Sequence, residues 1–293
     1  MCEPTRATVD GLEAADVDSL WVGGHVASTN PAPEATVQLA RLAALTERVR
    51  IGTAVLLLPL YPPAIIAKQV ADLDRLTGGR VSLGVGVGGE YPAEFRACGV
   101  PLAERGRRTD EAIGVLRALW TGAPQTLAGP HFPMEDVRIH PPPVQPGGPP
   151  VLVAGRKEAA MRRAARLGDG WMPYLYSARR YAESVARIRA IAAETGRRLD
   201  RFEWCAFVFV NVHPDRDTAR AETAAMLGAT YRQDVESFVD RVAVAGTADD
   251  VVAGLRAFVD AGAEHLVLTP ASRTDREGTV QRLLDDVIPA LRA

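Results

Sequence analysis

Residues 50–90 read RIGTAVLLLPLYPPAIIAKQVADLDRLTGGRVSLGVGVGGE. The first run, 51–58, is apolar without polar alternation, the pattern of a parallel strand covered on both faces. Pro62 and Pro63 suit the first turn of a helix, and Gly78 and Gly79 stand just past its end. A second short apolar run, 81–87, opens into Gly88, Gly89 and Glu90. The stretch predicts one complete βαβ unit with a loop at the carboxyl end of its second strand, where parallel α/β folds bind ligands.

The same alternation extends in both directions. Upstream come the end of a helix at 8–15, a strand at 18–22, the loop Gly23-Gly24-His25 and an amphipathic helix over 33–47. Downstream, short and long helices are expected at 91–96 and 101–120. Residues 121–150 are rich in Pro and Gly and exclude a central strand or a long helix. Strands then recur at 151–154, 171–176, 204–212 and 265–269, separated by helices at 158–167, 179–195, 213–227 and 247–261. Residues 229–245 form a second, less regular excursion, and a last helix closes at 291. Alternating βα over this length implies a doubly wound sheet or a (β/α)8 barrel. The strands are one short of the eight that close a barrel. The absent one is the first, because MCEPTRA is polar and carries Pro4. Without a linker in 293 residues, one domain over 1–293 is expected.

Composition narrows the class. Hydrophobic residues make up 47% of the chain, and the formal charge is −2, with pI near 6.2; neither suits a nucleic-acid binder. No apolar run has the length of a membrane span and no signal peptide opens the chain, so a cytoplasmic protein is expected. Cys2, Cys98 and Cys205 are scattered and read as reduced thiols, and the five histidines show neither HxH nor HExxH spacing. A metal enzyme is therefore not expected. Lys68 and Lys157 lie on or entering helices, which removes a Schiff-base lyase.

Four motifs carry chemistry. The glycine run 84–89 lets backbone approach a flat ring or a phosphate closely, but Tyr91-Pro92 interrupts the helix that a dinucleotide fingerprint requires. Gly155-Arg156-Lys157, between a strand and a helix start, combines backbone N–H groups, a helix dipole and cations, all favouring a phosphate. His25, at a strand's carboxyl end, is a candidate acid/base, and Glu90 is the nearest carboxylate in the glycine motif. Tyr174 or Tyr176 is a candidate for facing a substrate, whereas Trp171 reads as core. His131, His140, His213 and His265 read as structural or surface residues.

The runs LWVGGHV, ERVRIGTAVLLLPLYPPAIIAKQVADLDRLTGGRVSLGVGVGGEYPAEF, ERGRRTDEAIGVLRALWTG and PPVLVAGRKEAAMRRAARLGDGW occur in this order. Together they closely resemble the luciferase-like monooxygenase superfamily, best its coenzyme F420-dependent branch. The resemblance implies a (β/α)8 TIM barrel with insertions, its first strand missing or curtailed. It also implies hydride chemistry with F420 on a small-molecule substrate, and a homodimer, since members commonly pair. FMN-dependent monooxygenase is the alternative, and an inactive cofactor-binding relic a third. Carried over residue by residue, it places His25 near the reactive face of the ring; His25 and, as a carboxylate beside a hydride carrier, Glu90 are the candidate catalytic residues. Cofactor contacts fall to Thr53, Ala54, Val55, Gly88, Gly89, Glu90, Gly155 and Arg156, with a non-prolyl cis bond at Ala54–Val55. Members often place an acid before the histidine, where this chain has Gly24. The missing strand could be supplied by residues 1–7 or by a partner chain.

Overall fold

The computed structural model describes residues 5–292. It opens with α1 (Arg6–Ala14), β1 (Ser19–Val22), α2 (Ala35–Leu45), β2 (Arg50–Thr53), β3 (Leu56–Leu57), α3 (Pro63–Leu76) and β4 (Val81–Gly86). Then follow α4 (Pro92–Ala97), α5 (Arg105–Trp120), β5 (Gln125–Leu127), β6 (Met134–Val137), β7 (Val151–Ala154), α6 (Glu158–Leu167) and β8 (Gly170–Met172). The remainder is α7 (Ala178–Glu194), β9 (Glu203–Val212), α8 (Arg216–Tyr231), β10 (Ala243–Gly246), α9 (Ala248–Asp260), β11 (His265–Pro270) and α10 (Arg276–Arg282). A π turn (Leu283–Val287) leads from there into α11 (Ile288–Arg292). This is the parallel α/β order of the (β/α)8 TIM-barrel class. The chain divides into two compact units, Met1–Ala154 with Leu167–Asp169 and Gly155–Arg166 with Gly170–Ala293.

In the first unit, β1, β2, β4 and β7 are successive parallel neighbours, and β3 pairs with β4 beyond the end of β2. Every residue of β4 and β7 is buried, as a strand covered on both faces must be. The strand expected over 51–58 is broken at Ala54–Val55, which is a cis peptide bond. These two residues emerge half-buried from an otherwise buried run. The Trp21 ring lies so close over Gly52 that a Cβ there would collide with it. α3 starts with Pro63 and buries Ile66, Ala67, Val70, Ala71 and Leu73. Each Ile, Val or Leu among them contributes about 1.5–3 kcal/mol. Gly78 and Gly79, at φ 66° and 90°, end it in the left-handed region.

Residues 121–150 hold only the small antiparallel pair β5–β6. Asp74, fully buried, holds the end of this excursion. Its carboxylate accepts from the N–H groups of Val144 (2.8 Å) and Gln145 (3.0 Å) and from Gln145 Nε2 (2.6 Å). Glu13 at the end of α1 does the same for another turn, accepting from the N–H groups of Glu47, Arg48 and Val49 at 3.0, 2.8 and 3.1 Å.

Among the described residues no strand precedes Ser19. Thr5 caps α1, its hydroxyl accepting from Thr8 N–H at 3.1 Å. Residues 5–7 therefore form the cap and first turn of a helix and do not supply the missing strand. Residues 1–4, with Cys2, lie outside the described residues.

In the second unit, β9 pairs with β8 at its start. Further along, Phe209 pairs with both Ala243 and Thr269, which places β10 and β11 on opposite edges of β9. β10 corrects the reading of 229–245 as irregular; with no alternation in AVAG, nothing marks it as a strand. β8 stops at Met172, well short of 176, because Pro173 has no N–H to pair and Leu175 adopts φ 51°. The Trp171 ring stacks on Tyr181 at 5.2 Å, and Tyr181 OH donates to the Cys205 carbonyl at 3.1 Å. Thr247 and Asp250 form the expected start of α9 as a reciprocal capping box. Among the described residues no helix is long and apolar enough to cross a membrane.

Two outcomes follow from these anchors. Asp74→Ala strands two backbone N–H groups and should lower unfolding free energy by about 2–4 kcal/mol, with faster amide exchange at Val144 and Gln145. For Glu13, burial raises the carboxyl's pKa, but the three N–H bonds and Arg48 outweigh it and hold it below 4.5. A lowered native pKa stabilises above the unfolded value and is lost as pH falls. Thermal melts should therefore show Glu13→Gln less stable than the parent at neutral pH, with the gap shrinking below pH 4.5.

Candidate active site

The loop after β1 lies against the break between β2 and β3. Ala54 N–H donates to the Val22 carbonyl at 2.7 Å, and a Cβ on Gly23 would come within 2.8 Å of the Ala54 oxygen. At Gly24 a Cβ would meet the Pro33 oxygen at 2.6 Å and the backbone of Ala35. No side chain fits there, so the acid that the resemblance places before the histidine is excluded by packing. The His25 N–H closes the turn on the Pro33 carbonyl at 3.0 Å.

The acid comes instead from α4. Glu94 lies 3.3 and 3.4 Å from His25 Nδ1 through its two carboxylate oxygens. Its side chain is fully buried, while that of His25 is 24% exposed. Pro92 sets the first turn of α4, which carries Glu94 beside Phe95. Phe95 packs with Leu57, Leu60 and Val100, and this burial draws Glu94 inward. The Tyr91 ring meets His25 edge-on at 4.9 Å, and its hydroxyl accepts from Asn30 Nδ2 at 3.2 Å. With Glu94 ionised, the carboxylate only accepts, the hydrogen of this contact sits on Nδ1, and Nε2 is the free nitrogen of the neutral ring. Burial and then the Glu94 charge push the Cys98 thiol up. Burial, followed by the Glu34 carboxylate at 2.8 Å, does the same to the Tyr61 hydroxyl.

The other expected residues fall into different places. Glu90 is exposed at the loop, and the carboxylate against His25 is Glu94. Thr53 is fully buried, its hydroxyl donating to the Gly84 carbonyl at 2.7 Å; it holds the strand ends together. Ala54 and Val55 stay half-buried beside it. Gly88 and Gly89 have φ of 63° and 119°. A Cβ on Gly88 would press on Leu57 and Phe95, and one on Gly89 on Arg105. Glu94 was missed in the sequence because 91–96 reads only as a short helix, with little to show which face turns inward. The available signal was Phe95, an apolar neighbour that orients the first turn inward.

In the second unit, Gly155 and Arg156 form the turn that opens α6. Gly155 has φ 129°, and a Cβ would come within 2.7 Å of the Ala160 side chain, so the turn requires glycine. Trp171 Nε1 donates to the Gly155 carbonyl at 3.0 Å. The Arg156 guanidinium lies 4.9 Å above the Tyr174 ring, and Lys157 is exposed. The first N–H groups of a helix together with these cations favour an anion. Tyr176 is buried with its hydroxyl 2.9 Å from Ser184 Oγ, whereas Tyr174 is half-buried and stacked on Tyr231. Of the two tyrosines, Tyr174 is the more accessible.

Against known proteins, the chain is 40% identical over 167 residues to an uncharacterized protein of Mycobacterium tuberculosis, an alignment covering 57% of each. The chain thus spans little more than half the length of the first curated relatives it matches. It is 30% identical to the F420-dependent glucose-6-phosphate dehydrogenase of Amycolatopsis mediterranei, over 96% of this chain and 92% of that one. It is 32% identical to the FMNH(2)-dependent dimethylsulfone monooxygenase of Pseudomonas putida, over 81% and 64%. The solved structure of an F420-dependent secondary alcohol dehydrogenase in complex with an F420-acetone adduct shares the fold, with TM-score 0.87, 22% identity, and 99% and 96% of the two chains covered. The family model for luciferase-like monooxygenases matches residues 3–238. With the broken strand, the glycine loop and the strand–turn–helix order all in place, the chain belongs to the luciferase-like monooxygenase family.

Proposed function

We propose that the chain is a flavin- or deazaflavin-dependent oxidoreductase that uses coenzyme F420 to move a hydride to or from a small organic substrate. The observation that carries the chemistry is the isolation of Glu94. A buried carboxylate is costly unless donors surround it. Glu94 takes none from backbone; its polar partner among the described residues is His25. A buried acid whose hydrogen-bond partner is one part-exposed histidine is an arrangement that functional sites retain.

The residues present fit a flat ring. Ala54 and Val55 are the accessible break in a buried strand, and Gly88 and Gly89 offer no side chain at the neighbouring strand end. When bound, the deazaflavin supplies the hydride chemistry. His25 would hold or take up the substrate proton at Nε2, and Glu94 would orient the ring and stabilise its charged form. In the second unit, the Gly155–Arg156 turn is suited to a phosphate. F420 is preferred because the F420-dependent relative aligns over nearly the whole of both chains. A homodimer acting on a small molecule belongs to the same reading.

Fluorescence titration of the purified protein with F420 and, separately, with FMN tests the cofactor. F420 should bind in the micromolar range and more tightly than FMN. A preference for FMN would move the reading to a monooxygenase, and binding of neither would leave an inactive relic. In single-turnover assays, His25→Ala should retain cofactor binding while slowing the chemical step by about 10²–10⁴-fold. Glu94→Gln should also slow it and alter its pH profile, whereas Glu90→Gln should leave it within about twofold, the behaviour of a surface substitution. Equal losses at Glu90 and Glu94 would contradict the assignment.

A further inference from the structure

Outside this site, one side-chain cluster combines three different metal-ligand types. Glu203, Cys205 and His265 present one carboxylate oxygen, the thiol sulfur and one imidazole nitrogen, all within 4.8 Å of one another. The strands enforce this. Glu203 and Cys205 are two apart on β9 and share a face, and His265 on β11 is the direct register partner of Cys205. The cluster lies at the start of both strands, on the face of β9 that carries Phe207 and Phe209 further along. Cys205 is fully buried, while Glu203 and His265 are half-buried.

We propose that Glu203, Cys205 and His265 form a three-ligand site for a zinc-type divalent cation that ties β11 to β9. Thiolate with imidazole and carboxylate suits zinc and disfavours the hard cations Mg²⁺ and Ca²⁺, which take oxygen ligands. Tetrahedral zinc at about 2.0–2.3 Å from its ligands spaces them by about 3.3–3.8 Å. From the 4.8 Å envelope, binding requires the ligand atoms to approach one another by up to about 1–1.5 Å. Binding displaces the Cys205 thiol proton to solvent and leaves the fourth position to water. The sequence concealed the site because spacing searches look for ligands close together, whereas His265 meets Cys205 only through strand pairing.

The full-length protein, freed of any affinity tag, is loaded with Zn²⁺, desalted and assayed for metal by mass spectrometry, and separately titrated with Co²⁺. The site predicts one retained zinc per chain, a cobalt–thiolate charge-transfer band, and a melting temperature lowered by chelator. Cys205→Ser and His265→Gln should each cut retained metal by about tenfold or more, since losing a hydrogen-bond partner of a ligand already costs about that much, and remove the band. Cys98→Ser should change neither. His265→Gln, at a half-buried position, keeps the test valid if Cys205→Ser fails to fold, with circular dichroism as the check. Absence of stoichiometric zinc in the folded parent, or equal retention in His265→Gln, would overturn the proposal. None of these readouts depends on F420 or turnover.

Discussion

Taking a carboxylate out of water costs several kcal/mol unless hydrogen-bond donors replace the lost hydration. This chain meets that condition repeatedly and uses it to fasten its loops. Glu13 collects the N–H groups of residues 47–49, Asp74 those of Val144 and Gln145, and Glu111 those of His131 and Phe132. Asp169 takes the Val151 N–H and the Arg117 guanidinium. In the second unit Glu222 gathers the hydroxyls of Ser272 and Thr274 and the Asn211 amide. Each acid joins a helix or turn to a segment distant in sequence, so connections without regular structure are still held in place.

Glu94 departs from this pattern, and the proposed function rests on that departure. Its carboxylate depends on a single part-exposed imidazole and, among the described residues, on no backbone donor. Packing around it is tight. Gly24 admits no side chain, Gly23 rests against the strand break, and Phe95 anchors the helix that carries Glu94. The pair is thus held by a tightly packed loop and a short helix anchored through Phe95.

Much of the fold was legible in the sequence, for physical reasons. Strands buried on both faces leave continuous apolar runs, and β4, β7 and β9 were placed to within a residue or so of their ends. Pro63, Gly78, Gly262 and Thr247 mark helix ends through effects confined to one turn. The broken strand at Ala54–Val55 was reached through the family resemblance. What the sequence hid were features decided by tertiary partners. β10 is a strand only because the end of β9 needs an edge partner. Thr53 turned inward to Gly84. The acid beside His25 proved to be Glu94 and not Glu90, because the orientation of α4 depends on where Phe95 packs.

The most direct test of this account is the crystal structure of the protein with F420 bound. The account predicts the deazaflavin ring against Ala54, Val55, Gly88 and Gly89, with His25 Nε2 directed to its reactive face and Glu94 still beneath Nδ1. A ring bound elsewhere, or a His25 turned away from Glu94 in the complex, would contradict it.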